Sequence, residues 1–146
     1  MENAYLTPEE LKSTAFGQTL ANITQNDPSI LNMAIAAAIS EAKSYLRGKY
    51  DVGKIFAARG DDRHDLLLEH CKSIAMWYII RRSNADVLFE KAKTYYTEAV
   101  SWLKLVAGVD ETGKTIAPDF PLLETSDGQP IIKMKMDSRP KFEHEF

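Results

Sequence analysis

The apolar positions of the first hundred residues recur at three- and four-residue intervals, the spacing that gathers side chains on one stripe of an α-helix. Leu31, Ala34, Ile35, Ala38, Ala42, Tyr45 and Leu46 make the longest such series. Asp27-Pro28 supplies its start, with Asp27 as cap and Pro28 as the first helical residue. The spacing predicts a helix of roughly 30 Å at 1.5 Å per residue, ending near Arg47. The small side chains of Ala34, Ala38 and Ala42 suit close approach by a second helix, and Gly48 is expected to stop the helix in a left-handed conformation.

Two further stripes follow. Leu67, Cys71, Ile74, Ala75 and Tyr78 mark a helix that Asp61 or Asp62 is expected to cap. Leu66, Trp77, Ile79 and Ile80 make that helix apolar on more than one side, so it needs two sets of neighbours. Leu88, Ala92, Tyr95, Tyr96, Ala99, Leu103 and Val106 mark another, expected to run from Ser83 or Asn84 to Gly108. Ahead of all three, Thr7-Pro8-Glu9-Glu10 spells a capping box for a short helix that should end at Gly17. Between residues 49 and 60 the periodicity lapses, and the segment reads as a loop carrying an apolar plug, Ile55-Phe56.

Beyond Gly108 the pattern changes, because Pro118, Pro121, Pro130 and Pro140 punctuate the chain and no helical stripe survives. Residues 130–136 alternate partly, as a strand would, and residues 137–146 read as a flexible end with two aromatics. The expected fold is mainly α: a small antiparallel bundle of about four helices over residues 1–108, followed by an extended tail over residues 109–146 in which a strand is allowed for.

Composition narrows the class. A chain of 146 residues that is 45% hydrophobic and 27% charged can bury one ordinary core. The formal charge of -3 gives no global reason to bind nucleic acid or an anionic membrane. Residues 1–107 carry 13 basic and 13 acidic side chains, so the net charge lies in the tail, with 5 basic and 8 acidic. Cys71 is the single cysteine, which excludes an intrachain disulfide and suits a reducing compartment. The first residues do not resemble a secretion signal, and no stretch reaches the roughly 20 apolar residues that span a bilayer. The expected setting is the cytoplasm, or a particle assembled there.

Gly108-Val109-Asp110-Glu111-Thr112-Gly113-Lys114-Thr115 satisfies the spelling of a phosphate-binding P-loop. A working P-loop follows a buried strand and opens a helix, whereas this stretch follows a helix and runs into two prolines; Asp110 and Glu111 would also repel a triphosphate. Arg59-Gly60-Asp61 is explained by a turn before a helix start. His64, His70 and Cys71 are close in sequence, but His70 and Cys71 point about 100° apart on a helix and match no zinc signature. The carboxylate pairs Glu9-Glu10 and Asp61-Asp62 fall at helix starts, where acidic residues favour the macrodipole. Arg81-Arg82, with Arg47, Lys49 and Lys54, fits helix C-termini for the same reason, and no sequence-specific nucleic-acid contact is expected. The chain reads as non-enzymatic, with no catalytic residue, cofactor or metal.

Three segments resemble the phage Mu-like family of small virion morphogenesis proteins: Tyr5-Leu6-Thr7-Pro8-Glu9-Glu10-Leu11; Ala42 with Ser44-Tyr45-Leu46-Arg47-Gly48-Lys49-Tyr50; and Tyr95 through Ala99-Val100-Ser101-Trp102-Leu103 to Ala107-Gly108. The apolar helix around Ile74-Ala75-Met76-Trp77-Tyr78 lies where that family has a similar one. The resemblance implies a helical head-tail connector, whose copies form a homo-oligomeric ring under the portal and receive the tail or its stopper protein. Ile55, Phe56, Trp77, Ile80, Ile131, Ile132, Phe142 and Phe146 are the interface candidates. A host adaptor that uses the Trp77 region to hold a partner helix is the alternative.

Overall fold

A computed structural model describes residues 4–14, 17–25, 27–81 and 86–124. The order of elements is α1 (Pro8–Lys12), α2 (Gly17–Thr24), α3 (Pro28–Leu46), α4 (Val52–Ala57), a 3-10 turn (Gly60–Asp62), α5 (Asp65–Ile80) and α6 (Asp86–Ala107). The fold is mainly helical, as the periodicity predicts. α5 lies between α3 and α6 and also touches α1 and α2. Most of both apolar sides is therefore covered within the chain: Leu67, Cys71, Ile74, Ala75, Met76, Ile79 and Ile80 are buried, while Trp77 is half-buried and Leu66 stays exposed.

The predicted stripes supply most of the observed core; Tyr45, Tyr78, Leu88 and Tyr96 are half-buried at its edge, and Tyr95, expected on the α6 stripe, is exposed instead. Leu31, Ala34, Ile35, Ala38, Ala42 and Leu46 of α3 are buried, as are Ala92, Ala99, Leu103 and Val106 of α6. Alanine on α3 removes the bulk that would hold α5 away. Asp27 caps α3 by accepting from the Ser29 N–H at 3.0 Å. The capping box of α1 is formed as spelled, with the Glu10 N–H donating to Thr7 Oγ1 and the Thr7 N–H donating to Glu10 Oε1.

Several local expectations are corrected. Gly17 does not end the first helical segment; α1 stops at Lys12 and Gly17 opens α2. A Cβ at Gly17 would overlap the Lys12 carbonyl, so glycine permits the tight corner between them. The loop with an apolar plug contains α4, which Asp51 caps through the Lys54 N–H. Gly53 within it disguised a single helical turn and a half. α5 is capped by His64, whose Nδ1 accepts from the Leu67 N–H at 3.3 Å, while Asp61 and Asp62 lie in the 3-10 turn. Gly48 is not left-handed; the end of α3 is closed by the Lys49 and Tyr50 N–H groups, both donating to the Leu46 carbonyl. The expected start of α6 at Ser83 or Asn84 lies outside the described residues.

One cation ties the amino-terminal segment to the body. Arg63 grips Glu10 in a fork, at 2.9 and 2.7 Å, and also donates to the carbonyls of Tyr5 and Gly60, each at 2.8 Å. Beside it the Tyr5 ring packs on Phe56 at 4.8 Å between centroids. The Arg63 guanidinium holds the Glu10 carboxyl down at about 2. Because the folded value is depressed, this contribution is complete above the ordinary value of 4.5 and is lost as pH falls toward about 2. Arg63→Ala is expected to lower unfolding free energy by about 2 kcal/mol at neutral pH, through lost charge-assisted hydrogen bonds. Urea unfolding at several pH values checks both points: the variant's deficit should shrink between pH 4.5 and 2.

Candidate interaction surface

Of the sequence-derived interface residues, those among the described residues are largely drawn into the core. Ile55 and Phe56 are buried under α4, and Ile80 is fully buried at the end of α5. Their apolar area is taken up by the chain's own core, Phe56 against the Tyr5 ring. Trp77 is half-buried, 5.1 Å from the Phe89 ring and stacked on Tyr96 at 5.6 Å. Ile131, Ile132, Phe142 and Phe146, and the strand expected over 130–136, lie outside the described residues, as does Arg82.

At the other side of the Trp77–Tyr96 stack, three helices meet on one carboxylate. Glu41 of α3 accepts from the Tyr78 hydroxyl of α5 at 2.5 Å and from the Tyr96 hydroxyl of α6 at 2.7 Å. Arg81 lies over the Tyr78 ring at 4.5 Å. Burial and the Glu41 carboxylate push the Tyr78 phenol up to about 12, and the same two causes raise Tyr96. The aromatic residues of this clasp were legible as helical aromatics; the role of Glu41 was not, because its partners are 37 and 55 residues away.

The first part of the tail is anchored to the bundle. Gly108 closes α6 in a left-handed conformation, φ 80°, with the Val109 N–H donating to Lys104 and the Gly108 N–H to Leu105. The chain then returns: the Ile116 N–H donates to the Leu105 carbonyl at 3.2 Å. Residues 121–123 pair with residues 49–51 through Asp51 N–H to Pro121 and Leu123 N–H to Lys49, making an antiparallel bridge between Tyr50 and Leu122. Phe120 is buried between Tyr50, at 5.4 Å, His64, at 4.7 Å, and Trp102, at 6.3 Å. His70 packs on the same Trp102 at 4.9 Å, and burial lowers its pKa. The two histidines are thus aromatic neighbours of one tryptophan, and among the described residues no group of three acidic, histidine or cysteine side chains is placed to hold a metal.

The P-loop spelling falls on the exposed turn after α6. Asp110 accepts from the Thr112 N–H and hydroxyl and its own carbonyl accepts from the Gly113 N–H, so the carboxylate closes a local turn. Among the described residues that follow, 114–124, no helix presents amides to a phosphate. Burial pushes the Cys71 thiol up to about 12, which makes it a poor nucleophile. An open groove of about 370 Å³ is lined by Ser13, Thr14, Glu69, Lys72, Ser73, Met76 and Tyr95. The Ser13, Thr14 and Ser73 hydroxyls donate to carbonyls of their own turns, and Lys72 pairs with Glu69 at 3.1 Å.

Three outcomes follow from this geometry. Glu41→Ala should cost about 2 kcal/mol in urea unfolding, with Glu41→Gln recovering part of it, because the amide oxygen still accepts. Since the Tyr78 value is raised, its contribution holds below the ordinary 10.0 and is lost as pH rises toward about 12, which tyrosinate absorbance of folded and unfolded chain will follow. ATP with magnesium should leave thermal unfolding unchanged, in the chain as it stands and in Lys114→Ala; a bound ligand at 100 times its dissociation constant would add about 2.7 kcal/mol.

Comparison with known proteins gives one family. The family described as Bacteriophage Mu, Gp36 matches residues 5–113, the whole helical bundle and the turn after it. No curated protein and no solved structure matches the chain. With three quarters of its length covered, this chain belongs to the phage Mu Gp36 family.

Proposed function

We propose that the protein is a structural head-tail connector subunit of a phage or prophage, acting by geometry in a homo-oligomeric ring between the portal and the tail or stopper protein. The family match over residues 5–113 carries this reading. It is supported by where apolar side chains reach solvent. Leu66 opens α5 and is 45% exposed, and Val109 follows α6 and is 61% exposed. α5 and α6 run antiparallel, as the His70–Trp102 and Trp77–Phe89 contacts require, so both residues sit at one end of the bundle. Ile116 is exposed beside the same end of α6. A host adaptor built on Trp77 is less well supported, because Tyr96 stacks on that ring and Phe89 lies tilted against it.

On this reading the chain needs no catalytic group, cofactor or metal. Co-expression with the portal protein tests it. The expected result is copurification and a particle of several copies by native mass spectrometry, weakened by Leu66→Asp or Val109→Asp with helix content unchanged by circular dichroism. A strictly monomeric chain that binds neither portal nor tail protein would overturn the connector reading.

A further inference from the structure

We infer that the segment over residues 116–124 is an exchangeable strap: in the assembled protein it leaves its own bundle and seats Phe120 in the socket of a neighbouring copy. The inference rests on the oligomeric reading above and adds which surfaces join the copies.

The first observation is slack. Eight extended residues from Gly108 to Ile116 reach about 28 Å, nearly three times the spacing of about 10 Å between packed helices. Here they only bring Ile116 back to 3.2 Å from the Leu105 carbonyl. The excess is taken up by two left-handed glycines, Gly108 at φ 80° and Gly113 at φ 82°, and by the local turn on Asp110. Straightening that turn breaks hydrogen bonds internal to the linker and disturbs nothing in the core, since residues 111–117 are exposed.

The second observation is that the socket is already complete and serves any copy of the strap. Tyr50, His64 and Trp102 enclose Phe120, and the backbone of residues 49–51 pairs with residues 121–123. Exchange reproduces each of these contacts between chains, so it links copies without a new interface having to be found. Val109 and Ile116, both exposed, bracket the linker and gain cover where two linkers cross. Charge points the same way. Residues 43–59 carry Lys43, Arg47, Lys49, Lys54 and Arg59 against Asp51, whereas residues 109–124 carry Asp110, Glu111, Asp119 and Glu124 against Lys114. A neighbour's strap is steered toward the socket by opposite charge.

Tyr50 and Leu122 face each other without direct hydrogen bonds between them, the pairing with the shortest Cα separation, which suits a disulfide. Tyr50→Cys and Leu122→Cys are made in separate chains, mixed, assembled and oxidised. A disulfide-linked dimer containing one chain of each kind is expected, since a single chain of either kind lacks the partner thiol and Cys71 is buried. Because Tyr50→Cys removes a buried ring, the unsubstituted chain gives a second reading: light and ¹⁵N-labelled chains are co-assembled and treated with a carbodiimide that joins lysine to carboxylate. Heavy-to-light links between residues 43–59 and residues 110–124 are expected. Assembly with links of these residues confined to one chain overturns the exchange and leaves the connector reading standing; absence of any assembly overturns both.

Discussion

The close approach of α3 to α5 is the constraint from which the rest of the molecule follows. Ala34, Ala38 and Ala42 give α3 a flat side, and α5 lies against it with Ile74, Ala75 and Ile79 buried. With that side sealed, a second side of α5 is left for α6, which also touches α3, and a helix apolar on two faces becomes the most enclosed member of a three-helix bundle. The shorter helices then close what remains. α1 and α2 lie on α5, and α4 brings Ile55 and Phe56 under the amino-terminal segment.

That arrangement fixes where polar chemistry can go. Glu41 sits at the edge of the α3 stripe, and the proximity of three helices lets one carboxylate take hydrogen bonds from two phenols at once. Arg63 does the same work at the other edge, gathering a carboxylate and two carbonyls with a single planar fork. Each of these groups joins parts of the chain distant in sequence. They stabilise the relative placement of elements, which is the property a subunit working by shape would need. The ionisable groups are dispersed around the bundle, and Cys71, deep within it, is held in its neutral form by burial.

The family match and the strap divide the chain at nearly the same place. Residues 5–113 cover the bundle, and the docked segment with Phe120 follows just beyond. The match covers the bundle, and the contacts made by residues 116–124 follow it in the chain. On the proposed reading, the shared body supplies a wedge and the strap supplies the link to a neighbour.

Much of the helical architecture was legible because helix and burial have local causes. The stripes on α3, α5 and α6, the capping box at Thr7 and the cap at Asp27 depend on spacing and on backbone groups a few residues away. Elements whose signals were mixed were hidden: Gly17 resembles a stop although it opens α2, and Gly53 masks α4. His64 displaced the expected aspartate caps because Arg63 and Gly60 set the turn before α5. Above all, the sequence determined which faces are apolar, and the tertiary structure decided what covers them. The outer side of α5, legible as a surface awaiting a partner, is filled by α6, and Phe120 finds a socket whose walls come from residues 50, 64 and 102. Apolar area is a property of each residue, whereas its neighbour is chosen by the packing of segments far apart in the chain.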